Sequence, residues 1–127
     1  MYSQQFNIKE AKSIPYYEET QKRTIGQKIR KIKNTSLMLL AYAFPSVKVR
    51  IMLNRMRGVN IGNHVYLGMF CFLDNLYPEY IYIENNASIN AGTMILTHFN
   101  PMKRYAPIFL AKVEPVLIKE GAIVAVR

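Results

Sequence analysis

A chain of 127 residues, half of them hydrophobic, can bury one core, and no stretch approaches the ~20 apolar residues that a membrane span needs. The lone Cys71 excludes an intrachain disulfide framework. The formal net charge of +9 is unevenly placed: residues 1–60 hold 12 Lys/Arg against 3 Glu, whereas residues 61–127 hold 5 basic and 5 acidic side chains. The excess positive charge therefore belongs to the leading half, where an anionic membrane surface or a nucleic acid could use it.

Residues 1–20 are polar and aromatic, and Pro15, Tyr16, Tyr17, Glu18 and Glu19 read as part of an irregular or loosely docked arm. From Thr24 to about Lys33 the chain is basic, with Ile25, Ile29 and Ile32 at helical spacing. An apolar block, Leu37 to Phe44, follows as a second helical segment; Asn34, Thr35 or Ser36 is its expected cap and Pro45 its stop. A short helix is predicted from Ser46 to Arg57, with Val47, Ile51, Leu53 and Met56 as its apolar positions and Gly58 as the residue that leaves it. Residues 1–58 thus form a basic, apolar helical arm or cap. The stretch 24–57 doubles as a candidate peripheral contact with lipid headgroups. The aromatics Tyr16 and Tyr17 do not interleave with the basic run, so no nucleic-acid partner is expected.

From residue 59 a different period takes over. Ile61, Leu67 and Leu73 are six apart, as are Ile83, Ile89 and Ile95, and the register returns at Ile118 and Val124. The fourth residue after each aliphatic is slender where the pattern holds: Val65, Cys71, Ala87, Thr93, Ala122. A step of six fits neither the two-residue repeat of a flat strand nor the 3.6-residue repeat of a helix. It fits a chain that makes a short strand, turns a corner and repeats, so that three hexads close one triangular coil with the aliphatic and slender side chains stacked inside. Two segments break the step. DNLYPEY at 74–80 is a small loop at one corner; residues 99–115, with three prolines, form a longer inserted loop of the kind that more often carries function than not.

The stretches GVNIGNHVYLG (58–68), LDNLYPEYIYIENNASINAGTMILTH (73–98) and PVLIKEGAIVAV (115–126) resemble the hexapeptide-repeat acyltransferases, among them the maltose, galactoside and capsular-sugar O-acetyltransferases. The resemblance implies a mainly β fold with N-terminal helices: a left-handed parallel β-helix over 59–127, incomplete at the C-terminus because the chain stops three residues after Val124. A clipped longer protein, or completion by a partner, is the expectation from that ending. It also implies a homotrimer, acetyl-CoA as co-substrate in a groove between subunits, and a sugar or polysaccharide acceptor. His98, at the end of the ILTH segment, then takes the place of the general base. Imidazole suits that work because its ordinary pKa of ~6.5 lets it accept a proton near neutral pH.

Leu73 falls one coil below Ile95 by the hexad count, which puts Asp74 and Asn75 beneath Leu96 and Thr97. A carboxylate there would either meet a bound sugar or orient the imidazole, so Asp74 and Asn75 are the candidate substrate contacts. Lys103 and Arg104 in the long loop are candidate contacts to CoA phosphates. One departure stands out: maltose- and galactoside-type enzymes carry an acceptor-positioning Asn on the preceding coil, and that position falls near Leu67 here. The same fold hosts a zinc carbonic anhydrase with three histidines, but only His64 and His98 exist, so no metal is expected. A non-catalytic scaffold remains the other reading. A cytoplasmic chain, peripheral to the inner membrane face, completes the expectation.

Overall fold

The computed structural model describes residues 2–125. A two-residue strand β1 (Lys12–Ser13) and a 3-10 turn (Tyr17–Gln21) lead into helices α1 (Ile25–Ala43) and α2 (Val47–Met56). After Gly58 come β2 (Asn60–Ile61), β3 (Tyr66–Leu67) and β4 (Phe72–Leu73), followed by β5 (Ile81–Ile83), β6 (Ser88–Ile89) and β7 (Met94–Ile95). Strands β8 (His98–Phe99) and β9 (Lys112–Val113) frame the long insertion, and β10 (Val116–Ile118) and β11 (Ile123–Val124) resume the series.

The strands form three parallel ladders visited in rotation. β2 pairs with β5, β3 with β6 and β4 with β7, and in every case the partner lies 22 residues on: Asn60 with Tyr82, Tyr66 with Ser88, Phe72 with Met94. β10 and β11 then add to the first two ladders, aligning Ile118 with Ile83 and Val124 with Ile89. The aliphatics spaced by six are the ones that fill the interior. Leu67, Leu73, Ile83 and Ile89 are at most 1% exposed, and Val65, Cys71, Ala87 and Thr93 are buried beside them. Burial pushes the Cys71 thiol pKa up, as expected of a core filler and not of a nucleophile. At the corners, successive turns approach so closely that only glycine fits. A Cβ on Gly68 would collide with the backbone of Ala91.

A stack of this kind leaves the carbonyls of its first turn without donors, because no earlier turn supplies N–H groups. Three arginines of the α2 region take that role. The Arg50 guanidinium donates to Leu67 O from Nε (3.0 Å) and Nη2 (2.8 Å), and to Phe44 O (2.5 Å) and Pro45 O (2.9 Å) from Nη1. Arg55 donates to Ile61 O and Gly62 O, and Arg57 to Leu73 O. Each arginine serves the aliphatic of a different hexad, one on each ladder. Arg50 and Arg57 are 3% exposed, so part of the positive charge concentrated in residues 1–60 is structural and faces no partner.

Two expectations about the leading segment need correction. The basic stretch and the apolar block are one continuous helix. Thr24 and Gln27 form a reciprocal cap at its start (Gln27 N to Thr24 Oγ1, 3.3 Å; Thr24 N to Gln27 Oε1, 3.0 Å), and Asn34 sits buried within it instead of capping a second one. The stripe of Ile25, Ile29 and Ile32 faces outward at 77%, 62% and 66% exposure, while α1 packs through Asn34, Met38 and Ala41 on its opposite side. Helical periodicity finds a stripe but does not say which way it turns. Residues 2–20 are docked, not loose. Ser3 Oγ donates to Glu84 Oε1, Gln5 pairs with Asn85, Lys9 N donates to the Tyr82 hydroxyl, and Ile14 is buried against Tyr80, Ala111 and Val113.

Candidate functional site

The site grows from the β4–β7 ladder. Leu73 lies beside Ile95, and Asp74 N donates to Ile95 O at 2.9 Å, so the chain leaves both strands side by side. Asp74 then turns inward and is 0% exposed. Its Oδ1 accepts from the backbone N–H groups of Leu76 (2.9 Å) and Tyr77 (3.3 Å), the local bonding that aspartate offers at a turn, and this shapes the corner loop. Its Oδ2 accepts from Thr97 N (2.9 Å), from Thr97 Oγ1 (2.8 Å) and from His98 Nδ1 (2.5 Å).

Asp74 and His98 therefore form a dyad. Burial opposes ionisation of Asp74, but the His98 hydrogen bond, the Thr97 N–H, the charge of His98 and the Leu76 N–H outweigh it and hold the carboxyl well below the usual carboxylate range. An ionised carboxylate only accepts, so the proton of a neutral imidazole resides on Nδ1 and the lone pair on Nε2. The buried Arg57 guanidinium adds to the field beside Asp74. Its own pKa is pushed down to about 10 by burial, with the Asp74 charge acting in the other direction.

His98 is fixed from behind as well. Its side chain is 15% exposed and the Tyr77 ring packs on it with centroids 5.6 Å apart. The long insertion returns as a hairpin: β8 pairs antiparallel with β9, aligning His98 with Val113, and β1 of the N-terminal arm pairs with the far side of β9. The arm thus braces the strand that carries the histidine, an arrangement for which the chain between Met1 and Glu19 offers no sequence signal.

Because the folded-state pKa of Asp74 is depressed, its contribution to stability is present above the ordinary carboxylate pKa of about 3.9 and is lost as pH falls through that value toward the lowered one. Urea midpoints measured from about pH 6 down to about pH 2 are expected to fall more steeply for the wild type than for Asp74→Asn. Parallel curves would show that the carboxylate is not ionised in the dyad.

The remaining candidates are distributed differently from the sequence expectation. Asp74, read as a substrate contact, has no exposed surface and both oxygens occupied; it orients His98, the second of the two roles open to it. Asn75 turns the other way and donates to Thr35 Oγ1 on α1 (3.2 Å), at the edge of a cavity between the arm, α1 and the corner loop. Lys103 is held at the arm, its N–H donating to Glu18 Oε2 (2.9 Å) and its ammonium lying 3.3 Å from Glu19. Arg104 stacks on the ring of Tyr105, 4.8 Å from its centroid. His64 lies exposed on a corner with φ +55 and takes no part in the dyad. Among the described residues no group of three or more His, Cys, Asp or Glu side chains is placed to hold a metal ion. Sequence reasoning misses two participants, Thr97 and Tyr77. Thr97 is legible as the residue before His98 on the turn above Asn75, whereas only the folded corner loop brings Tyr77 to the imidazole.

No family model, no curated protein and no solved structure matches the chain.

Proposed function

We propose that the chain is an acetyl-CoA-dependent O-acetyltransferase of the hexapeptide-repeat kind, wound as a left-handed parallel β-helix, that acetylates a hydroxyl of a sugar or polysaccharide precursor. The observation that carries this reading is the Asp74 carboxylate on Nδ1 of His98, which leaves Nε2 as the basic nitrogen of a side chain that is 15% exposed. In the reaction Nε2 removes the proton of the acceptor hydroxyl as its oxygen bonds to the thioester carbonyl carbon. Collapse of the tetrahedral intermediate breaks the C–S bond, and the imidazolium returns its proton to the departing thiolate. Asp74 stabilises the transient imidazolium and holds the ring in one tautomer throughout. The direct test is release of free thiol from acetyl-CoA in the presence of hexoses, N-acetylhexosamines and their phosphorylated forms. Release that requires an acceptor and yields an acetyl ester supports the reading; its absence with every acceptor overturns it and favours a scaffold.

The same reading makes the working unit a homotrimer. Met102, Ile108, Phe109 and Leu110 stand exposed on the hairpin insertion, an apolar face suited to a neighbouring copy. Lys103 and Arg104 on that hairpin are the cations proposed to meet CoA phosphates across such a junction.

Among the described residues no helix is long and apolar enough to cross a membrane. The outward stripe of α1 (Ile25, Ile29, Ile32, Leu39 and Leu40), bordered by Lys28 and Lys33, has the composition of a helix that lies on an anionic lipid surface. It supports a cytoplasmic protein held at the inner membrane face. Flotation with liposomes is expected to depend on anionic lipid and to be lost when Ile25, Ile29 and Ile32 are changed to serine. Equal flotation with neutral and anionic liposomes would remove the idea.

A further inference from the structure

The face of α1 opposite the exposed stripe closes over a cavity of about 310 Å³, bounded also by the N-terminal arm and by Asn75, Leu76 and Tyr77 of the corner loop. Four cationic side chains line it: Lys22, Arg23, Arg30 and Lys31. Arg30 is committed to Glu79 at 2.8 Å, and the one carboxylate in the lining, Glu19, is committed to Lys103 at 3.3 Å. Lys22, Arg23 and Lys31 have no anionic partner among the described residues. Asn34, 2% exposed, also lines the cavity and leaves its Oδ1 without a hydrogen-bond partner. A buried carboxamide with an unmet polar atom is expensive unless something in the cavity meets it, and its oxygen and nitrogen exchange places by a flip of the amide.

Gathered cations facing a buried amide recognise a compact, oxygen-rich anion. The cavity is also adjacent to the dyad. Tyr77 forms part of its wall while packing on the His98 ring, and Asn75 directly follows the carboxylate that orients that ring. An anion held here would anchor one end of an acceptor whose hydroxyl reaches His98.

We propose that this cavity binds the phosphate of a phosphorylated sugar, so that the acceptor is a glycosyl phosphate and not a free sugar. The inference rests on the acyl-transfer reading for its purpose, but binding is measurable without turnover, so the two fail separately. The phosphate ester has two sources, a soluble sugar phosphate or a sugar phosphate carried on a lipid. The latter would also place the exposed stripe of α1 against the bilayer.

The experiment is calorimetric titration of the full chain with a hexose 1-phosphate and with the same hexose unphosphorylated. A sedimentation arm uses phosphatidylcholine vesicles with and without a lipid-linked hexose phosphate. Arg23→Gln combined with Lys31→Gln removes two unpartnered cations and leaves the Arg30–Glu79 pair and the dyad in place; Lys22→Gln with Arg23→Gln is the second pair. Wild type is expected to bind the phosphorylated hexose, and each double variant to weaken that binding by about 10-fold or more. Retention of the wild-type thermal midpoint shows that the loss is not one of folding. Tight binding to the soluble ester supports the soluble source. Binding only to the vesicles that carry the lipid-linked ester, lost in the same variants, supports the lipid source. Equal affinity for hexose and hexose 1-phosphate without preference for the loaded vesicles, or unchanged binding in both double variants, overturns the proposal.

Discussion

Replacing Asp74 by asparagine is expected to lower kcat for the proposed acetyl transfer by on the order of 10²–10⁴-fold while leaving KM for the acceptor nearly unchanged. The expectation follows from what an amide does at this position. Asp74 Oδ2 accepts from three donors, Thr97 N, Thr97 Oγ1 and His98 Nδ1. Asparagine keeps the volume but turns either an oxygen without charge or an N–H toward the imidazole. In the second case Nδ1 must become the acceptor and the proton moves to Nε2, where the base is needed. The binding surface is untouched because Asp74 has no exposed area. His98→Ala removes the proposed base and is expected to cost a similar factor. The double variant should be no worse than either single one, since the two side chains act as a unit. A near-normal rate in His98→Ala would remove the catalytic assignment. A large rise in acceptor KM with kcat intact in Asp74→Asn would return the carboxylate to the role of a substrate contact.

The largest effect on stability is expected at Arg50. Its guanidinium makes four hydrogen bonds to three carbonyls, those of Phe44, Pro45 and Leu67, and is 3% exposed. Removing it strands the buried Leu67 O, at about 1–3 kcal/mol, and leaves the part-buried Phe44 O and Pro45 O to water, so with the lost packing Arg50→Ala is expected to lose ~2–4 kcal/mol. Arg50→Met separates the causes. It refills most of the volume and restores none of the bonds, so it should be nearly as harmful as alanine. A methionine variant close to wild type would mean that packing, not carbonyl satisfaction, is what α2 contributes. The readout is the urea midpoint at unchanged slope, which keeps a true stability change distinct from a change in the unfolded ensemble.

Much of the interior is legible in the amino-acid sequence. A six-residue recurrence of aliphatics is a local property, set by how many residues a strand and a corner consume, and it picks out the side chains that are buried. It also aligns Leu73 with Ile95, the pairing that brings Asp74 near His98. The short helix before Gly58 is visible for a similar reason: its apolar spacing and the glycine exit, at φ +107, are written within one turn of each other.

What residues determine by themselves here is therefore repeat length, register and the identity of the imidazole at the end of one repeat. Only the tertiary structure decided where polar groups point. Ser3 and Glu84 are 81 positions apart, Asn75 and Thr35 are 40 apart, and Asp74 and His98 are 24 apart. No local pattern records which of two faces a carboxylate, an arginine or a helical stripe will take. That choice follows from pairing most of the buried donors and acceptors at once. It turned Asp74 inward to the histidine, spent three arginines on the first turn's carbonyls, and left the isoleucines of α1 facing out.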